Sequence, residues 1–247
     1  MNVKELQQWI NDKSIELQIK DESGGVIQIV ADGVIGTKTK NLFLAVMTNK
    51  KAEAITEEQL GDIVQQLGDT TSTRIKAIAK VESNGGGWDN SGLVKLLFER
   101  HYFYKLTQKQ VSSKTFGIIS APTSGGYTID MDKNGINDSW EKMIECMNID
   151  VDSAIKSVSI GKFQVMCKYY DLLGYNTPLD MLWLCTRSEY EHYKTLVGYI
   201  LKVGNLQHAY LKITTDPKDC VPFVLGYNGP NWIKNDYANK LATAMRG

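Results

Sequence analysis

Apolar residues recur at helical spacing along most of this chain of 247 residues. From Ile55 onward, the periodicity is interrupted in two turn-rich stretches, residues 83–94 and 111–138. A repeat of about three to four residues is typical of helices that bury one face, and turn-rich stretches between such helices can hold short strands. The pattern therefore predicts a mainly α, α-rich (α+β) domain with a small β region.

Residues 1–48 form a separate unit in the sequence. They begin and end with helical patterns of their own, and the polar segment at 49–56 has the composition of a linker. We therefore expect three parts, namely a small helical module at 1–48, a linker at 49–56 and the α-rich domain at 57–247.

A glycine-containing turn lies between the two helical patterns of the module. It reads Asp32-Gly33-Val34-Ile35-Gly36-Thr37-Lys38-Thr39. Glycine is favoured where a turn needs a positive φ, and Thr37 can cap the helix that follows. On these residues alone, the segment is a structural turn in a small helical bundle.

The opening VKELQQWIN, the turn ADGVIGTKT and the closing apolar helix together resemble the common three-helix peptidoglycan-binding module. The resemblance covers nearly all of residues 1–48 and includes the DG-x-x-G-x-x-T pattern of the turn. It implies that the module binds the glycan strands of peptidoglycan. The residues implied for this contact are Asp32, Gly33, Gly36 and Thr39.

A carboxylate stands on the apolar face of the helix predicted before residue 83. Ile75 and Ile78 continue at helical spacing to Glu82, and three glycines at 85–87 should end the helix. Burial and the negative end of the helix dipole both raise the pKa of a carboxyl group placed there. A carboxylic acid that stays protonated near neutral pH can donate a proton to a glycosidic oxygen. The alternative is a glutamate that turns into solvent at a frayed helix end.

Four segments follow one another over about residues 74–245, namely IKAIAKVESNGGGW, KLLFERHYFYKLT, SVSIGKFQVM and GYNGPNWIKNDYANKLATAM. In this order they resemble the N-acetylmuramidase domain of phage endolysins. That family belongs to the lysozyme-like superfamily, in which a catalytic glutamate ends a helix, and its motif glutamate maps onto Glu82. The resemblance implies a lysozyme-like fold and hydrolysis of the β-1,4 bond between N-acetylmuramic acid and N-acetylglucosamine, with no cofactor required for the chemistry.

Two positions depart from the family pattern. Ile160 stands where the family often has Trp, and Cys167 stands where it has an additional Gly after the Met. We expect these departures to affect sugar stacking at that wall of the site and to leave the acid unchanged.

Two further motifs imply residues that contact the glycan. Gly161-Lys162-Phe163-Gln164 resembles the G-x-F/M-Q motif of the superfamily, in which Gly161 lets a glycan approach and the Gln164 amide binds an N-acetyl or hydroxyl group. Gly226-Tyr227-Asn228 resembles its A/G-Y-N motif. That resemblance implies that the Tyr227 hydroxyl reaches the acid and that the Asn228 amide lies along the sugar groove.

An inverting glycosidase needs a second group that activates water. Glu99, in an apolar and aromatic run, and Asp89, just after the acid, are the candidates. Each also has a structural alternative. Glu99 would anchor Arg100 or a helix, and Asp89 would be a solvated turn residue.

Residues 130–141 fit the spacing of an EF-hand calcium loop, with Gly135 at the sharp bend. The upstream residues 124–129 do not look helical, so we do not expect a full helix-loop-helix hand. The alternative is a turn rich in Asp and Asn, in which Asp138 caps the next helix. If the loop binds a structural Ca²⁺, its ligands are Asp130, Asp132, Asn134, the carbonyl of Ile136, Asp138 and Glu141.

The charge balance excludes several classes of partner. Lys plus Arg and Asp plus Glu number 28 each, so no excess positive field exists to bind nucleic acid.

The N-terminus lacks the pattern of a secretory signal, and no run approaches the roughly 18 apolar residues of a membrane span. We therefore expect a monomer without membrane insertion, made in a host cytoplasm and acting on the bacterial cell wall after release.

Rival chemistries lack their residues. The histidines show no H-E-x-x-H spacing for a zinc peptidase, and no cysteine has the setting of an activated nucleophile. The cysteines also lack paired metal-ligand spacing, so we expect reduced core thiols at Cys146, Cys167, Cys185 and Cys220. Two alternatives remain, a lytic transglycosylase that uses the same glutamate and a non-catalytic peptidoglycan-binding protein.

Overall fold

The computed structural model describes residues 1–83, 86–108, 111–114 and 117–247. Helices dominate these residues, and two small sheets accompany them, which confirms the predicted α-rich fold with a small β region. The helices are α1 (Val3–Glu16), α2 (Thr37–Met47), α3 (Glu57–Gln66), α4 (Thr73–Glu82), α5 (Arg100–Leu106), α6 (Asp138–Met147), α7 (Val151–Lys156), α8 (Tyr170–Leu173), α9 (Pro178–Cys185), α10 (Glu189–Gly198), α11 (Gln207–Leu211), α12 (Pro217–Asn228) and α13 (Tyr237–Ala244). No helix in the described ranges is both long and apolar enough to cross a membrane.

The larger sheet lies beside the segment that follows α4. Its antiparallel strands run in the order β1 (Leu96–Phe98), β4 (Val158–Ile160) and β5 (Val165–Met166). Ile160 pairs with Val165, so residues 161–164 form the turn between β4 and β5. The second sheet is the hairpin of β2 (Ser112–Lys114) and β3 (Gly117–Ser120), which lies inside one of the turn-rich stretches of the sequence.

Helices α4, α12 and α13 pack together, since α13 contacts both of the others. The C-terminal ends of α4 and α12, which come from distant parts of the chain, lie in one region. In α4, Ile75 and Ile78 are almost completely buried. Burial of a side chain of this size contributes about 1.5–3 kcal/mol, so this apolar face fixes the rotation of α4 about its axis.

Residues 1–48 contain two helices, α1 and α2, and the expected third helix is absent. The intervening segment is irregular apart from one bridge between Lys20 and Val26. Polar side chains of α1 form hydrogen bonds with the backbone groups of this segment. Ser14 donates to the Ile27 carbonyl, and Asn11 both donates to and accepts from the backbone of Ile29. An extended segment satisfied in this way does not need helical hydrogen bonds.

Gln7 holds the glycine turn of the module. Its side chain is fully buried and donates to Asp32 Oδ1, the Val34 carbonyl and Thr39 Oγ1, while its Oε1 accepts from the Gly33 amide. Three of the residues expected to contact glycan are therefore engaged with a buried glutamine. These contacts give the DG-x-x-G-x-x-T pattern a structural role in shaping the turn.

The segment at 49–56 is fixed to the α-rich domain. The Asn49 amide donates to the Gly92 carbonyl, its side chain donates to the carbonyls of Thr186 and Arg187, and the Glu189 amide donates to the Glu53 carbonyl. The module itself also contacts the α-rich domain, since Trp9 of α1 packs edge-on against Trp183. The buried side chains of the module and of the domain belong to one hydrophobic cluster.

Replacing Gln7 with Leu should destabilise the protein by about 3 kcal/mol, because the turn at 32–39 loses the hydrogen bonds that the fully buried Gln7 side chain makes with it. Chemical denaturation followed by circular dichroism measures this loss. The matched control is Gln8→Leu, at the neighbouring exposed position of α1. Equal effects of the two substitutions would contradict the role given to Gln7.

Candidate active site

Glu82 is the last residue of α4, as the sequence predicted. Its side chain is half-buried, and the chain leaves the helix at Ser83, where the backbone is extended. Gly86 and Gly87 follow within the described residues, whereas Gly85 lies outside them. Glu82 therefore stands at the carbonyl end of a helix, where the partial negative charge disfavours an anion.

Asn228 reaches Glu82 from a second helix end. Asn228 is the last residue of α12, which stops at Gly229 with a φ of +69°. Its Nδ2 donates to both carboxyl oxygens of Glu82, at 3.1 Å and 3.2 Å. Burial raises the pKa of Glu82, and the hydrogen bond from Asn228 acts in the opposite direction with a smaller effect. The Asn228 Oδ1 is buried without a protein partner.

Glu82 lies on the wall of a groove. The central depression has a volume of about 480 Å³. A second depression adjoins it through Glu82 and Tyr237, and a third adjoins it through Gln164. Adjoining depressions, two of which share the acid, suit a linear polymer. The tyrosines that line the central depression are Tyr102, Tyr169, Tyr199, Tyr227 and Tyr237.

The Tyr227 hydroxyl does not bind the acid, so the role expected for this hydroxyl was wrong. It donates to the Phe163 carbonyl at 2.9 Å, and the ring stacks on Phe223. Successive residues on a helix point about 100° apart, so the rotation of α12 that directs Asn228 to the acid directs Tyr227 to the turn between β4 and β5. Tyr227 thus fixes that turn.

A family model for N-acetylmuramidase matches residues 71–246. The chain belongs to the N-acetylmuramidase family. It is therefore a glycoside hydrolase that acts on peptidoglycan. The match agrees closely with the span over which the sequence motifs resemble this family.

A solved structure shares the fold of this muramidase. The crystal structure of Burkholderia AP3 phage endolysin superposes with a TM-score of 0.68 and 19% sequence identity, covering 96% of this chain and 92% of that one. At this identity, the likeness establishes the fold alone. No curated protein sequence matches the chain.

Gly161 gives space to a histidine ring. Its φ is +74°, and a Cβ there would lie 2.9 Å from the ring of His192, so the absence of a Cβ makes room for this ring. That Gly161 also lets a glycan approach stays a prediction. Gln164 is exposed and lines the groove of the muramidase. Its Nε2 donates to the Gly161 carbonyl and its Oε1 accepts from Ser159, so the side chain also closes its own turn.

The two candidates for a second catalytic carboxylate occupy different places. Asp89 Oδ1 accepts from the Ser91 amide and hydroxyl and from the Leu93 amide, and the residue lines the third depression with Gln164. Among the described residues that line the central depression, Glu82 is the only carboxylate.

Glu99 is bound within its own neighbourhood. Its Oε2 accepts from the Tyr127 hydroxyl at 2.7 Å and lies 3.2 Å from His101 Nδ1. Burial, followed by the contact with Glu99, raises the pKa of Tyr127 to about 12. Arg100 does not serve as the expected partner, since it donates to the carbonyls of Thr123 and Ser124. Glu99 therefore has the contacts of a structural residue.

The positions that depart from the family pattern do not form a wall of the groove. Ile160 and Cys167 are almost fully buried. All four cysteines are free and buried, which confirms the prediction of reduced core thiols, and burial raises the pKa of the Cys167 thiol. The aromatic surface of the groove is supplied by tyrosines instead.

Sequence reasoning missed the positioning role of His192. Its ring stacks on Trp88 at 4.5 Å, and a Cβ at Gly87 would lie 2.2 Å from it. Its Nδ1 accepts from the Lys162 amide, so Nε2 carries the proton and donates to the Cys185 carbonyl at 2.7 Å. His192 thus joins the segment after the acid to the turn between β4 and β5. Helical spacing in α10 predicts only that this histidine is buried.

Burial lowers the pKa of His192 to about 4. The unfolded chain binds a proton near pH 6.5, whereas the folded protein does so only near pH 4, so stability should fall as pH decreases through this window. The expected loss from this group is about 3 kcal/mol. It is measured as the part of the pH dependence of unfolding that disappears in His192→Gln. The exposed His208→Gln should retain the full dependence, and an unchanged dependence in His192→Gln would refute the assignment.

Proposed function

We propose that this muramidase is an endolysin that cleaves the β-1,4 bond between N-acetylmuramic acid and N-acetylglucosamine, with Glu82 as the general acid. The observation that carries the proposal is the half-buried carboxyl group of Glu82, which has a raised pKa and lies where two depressions of the groove adjoin. A protonated carboxyl group in such a groove can reach a glycosidic oxygen within a polymer.

The two neighbours of the acid suit proton donation. Burial favours the neutral acid before the reaction, and the Asn228 amide stabilises the carboxylate formed when the proton moves to the leaving oxygen. The proton leaves Glu82 as the bond between that oxygen and the anomeric carbon breaks. The buried Asn228 Oδ1 is then available to a substrate hydroxyl or a water molecule.

The groove supplies surfaces that suit sugar rings. Tyrosine side chains combine an apolar face with a hydroxyl group that can bind sugar hydroxyls. Lys168 lies over the rings of Tyr102 and Tyr169, at 4.0 Å and 4.7 Å from their centroids. A cation in this position restricts both rings, so this part of the groove is ordered before substrate binds.

For the second step we propose Asp89, rather than Glu99, as the group that activates water. Asp89 lines a depression of the groove, whereas Glu99 is bound to Tyr127. A second candidate function follows from the central depression, where Glu82 is the only carboxylate among the described lining residues. A lytic transglycosylase needs only one carboxyl group, because a hydroxyl of the substrate replaces water.

We propose that residues 1–48 contribute to peptidoglycan binding. Asp32, Gly33 and Thr39 support the turn through Gln7, while Val34 is exposed on it and Gly36 lines a separate depression. The likeness to the Burkholderia AP3 phage endolysin over 96% of this chain includes most of this module. We further propose that the protein is made in a host cytoplasm, reaches the wall after release and acts as a monomer.

Substitution of Glu82 by Gln should lower the rate of peptidoglycan cleavage by a factor of about 10²–10⁴, because it removes the proton of the general acid. Purified peptidoglycan is digested, and the ends of the fragments are identified by mass spectrometry. The proposal requires ordinary N-acetylmuramic acid ends that are lost in Glu82→Gln. Anhydro ends would instead establish the transglycosylase. The exposed Glu58→Gln is the control, and full activity in Glu82→Gln would eliminate this acid.

Substitution of Asn228 by Ala should raise the pKa of Glu82 further, because the hydrogen bonds that favour its ionised form are lost. The acid then stays protonated to higher pH, so the alkaline limb of the kcat/KM profile should move to higher pH. Asn239→Ala, which changes an amide of the groove that donates to Asp236, should leave the limb in place. A shift to lower pH in Asn228→Ala would contradict the role of Asn228.

A further inference from the structure

Three carboxylates come together outside the central depression of the muramidase. One oxygen from each of Asp130, Asp132 and Asp138 lies within 4.8 Å of the others. Like charges at this separation repel one another, more strongly where one of them is buried. The muramidase reaction assigns no role to these residues. Acidic groups often cluster on protein surfaces, so the environment of each carboxylate decides whether this cluster is a site.

Asp138 differs from carboxylates that cluster by chance on a protein surface, because it is not on the surface. It is fully buried, its Oδ1 accepts from the Met131 amide, and its Oδ2 has no hydrogen-bond partner. The alternative predicted from the sequence, in which Asp138 caps α6, was wrong, because Asn137 is the capping residue and accepts from the Ser139 amide. A buried carboxylate oxygen without a partner needs a cation or donor to offset its desolvation.

Lys142 is a buried cation whose charge acts on Asp138, but its hydrogen bonds go to other groups. Lys142 is buried on α6, and its Nζ donates to the Gly126 carbonyl at 2.8 Å and to Thr128 Oγ1 at 2.6 Å. These contacts fix the irregular segment before the loop, and the hydrogen bonds of Lys142 do not reach the free oxygen of Asp138. The charge of Lys142 acts on Asp138 only through space.

The loop is already folded around its first acidic residue. The amides of Asn134 and Gly135 donate to the two oxygens of Asp130, at 3.0 Å and 3.1 Å, and Gly135 makes the bend with a φ of +82°. The described residues 121–137 contain no helix, so the loop is not preceded by the first helix of an EF-hand. Binding a cation here requires side-chain adjustment and little rearrangement of the backbone.

Glu141 connects the cluster to the N-terminal module. Its side chain is fully buried, and its Oε1 accepts from Asn134 Nδ2 and forms an ion pair with Lys40 of α2. Its Oε2 has no partner. The Asn134 amide in turn donates to Asp132, so one side-chain amide separates Glu141 from the three aspartates. Rotation of that amide would present its oxygen in place of its nitrogen.

We propose that residues 130–141 bind one Ca²⁺ ion through Asp130, Asp132 and Asp138, and that Glu141 completes the site by exchanging Lys40 for the ion. Several oxygen ligands on a flexible loop suit Ca²⁺, whereas Mg²⁺ demands a smaller and more regular shell. The ion would hold Asn137, which lines the third depression of the groove, and would alter the contact between Glu141 and the module.

The test is a titration of the chelator-treated, full-length protein with CaCl₂ by calorimetry, together with melting temperature. We expect one saturable site per chain and a melting temperature raised by about 5–10 °C at a hundredfold excess over Kd, with a much smaller effect of MgCl₂. Asp132→Asn changes an exposed ligand that tolerates substitution, and it should weaken binding at least tenfold. The exposed Asp62→Asn should bind as the wild type does.

A Lys40→Met variant tests the role of Glu141 separately from that of the three aspartates. Without its competing cation, Glu141 should bind the ion more readily, so Ca²⁺ affinity should increase several-fold. An unchanged affinity would overturn the assignment of Glu141 as a ligand. Absence of saturable Ca²⁺ binding in the folded wild type, or equal affinity in Asp132→Asn, would overturn the site as a whole. Cleavage of peptidoglycan is assayed in the same samples, and it tests the proposed function separately from the Ca²⁺ site.

Discussion

The hydrogen bonds from Asn228 to Glu82 join the ends of two helices and oppose the effect of burial on the pKa of the proposed acid. Burial on its own would favour a carboxyl group that holds its proton strongly, and an acid of that kind is slow to release it. The amide opposes this effect because it binds both oxygens of the ionised form. The position of Asn228 depends on α13, which contacts both helices and keeps their ends facing each other. The packing of α4, α12 and α13 thus influences the proton affinity of the Glu82 carboxyl group.

Local patterns in the sequence predict the features that depend on local structure. The apolar face of α4 and the glycines after it place Glu82 at the end of a helix, and the structure has it there. The motif segments likewise identify the family, because they preserve groups of neighbouring residues. The α-rich fold follows from periodicity alone. In each case the relevant residues lie within one or two helical turns of one another.

The features that sequence analysis missed depend on contacts between distant segments. Which of Tyr227 and Asn228 faces the acid is decided by the rotation of α12, and tertiary packing sets that rotation. Gly161, in the turn between β4 and β5, makes room for the ring of His192, which lies in α10. In place of a third helix, the module has an irregular segment whose backbone is bound by polar side chains of α1. No local pattern distinguishes a polar residue that binds such a segment from one that faces water.

The end of α12 has a mechanical consequence. Two consecutive residues there hold opposite sides of the groove, since Asn228 binds the carboxyl group on α4 and Tyr227 binds the Phe163 carbonyl in the turn that carries Gln164. The turn that carries Gln164 and the carboxyl group of Glu82 are therefore held by neighbouring residues of one helix end, so a displacement of that end would change both the shape of the groove and the hydrogen bonds to Glu82.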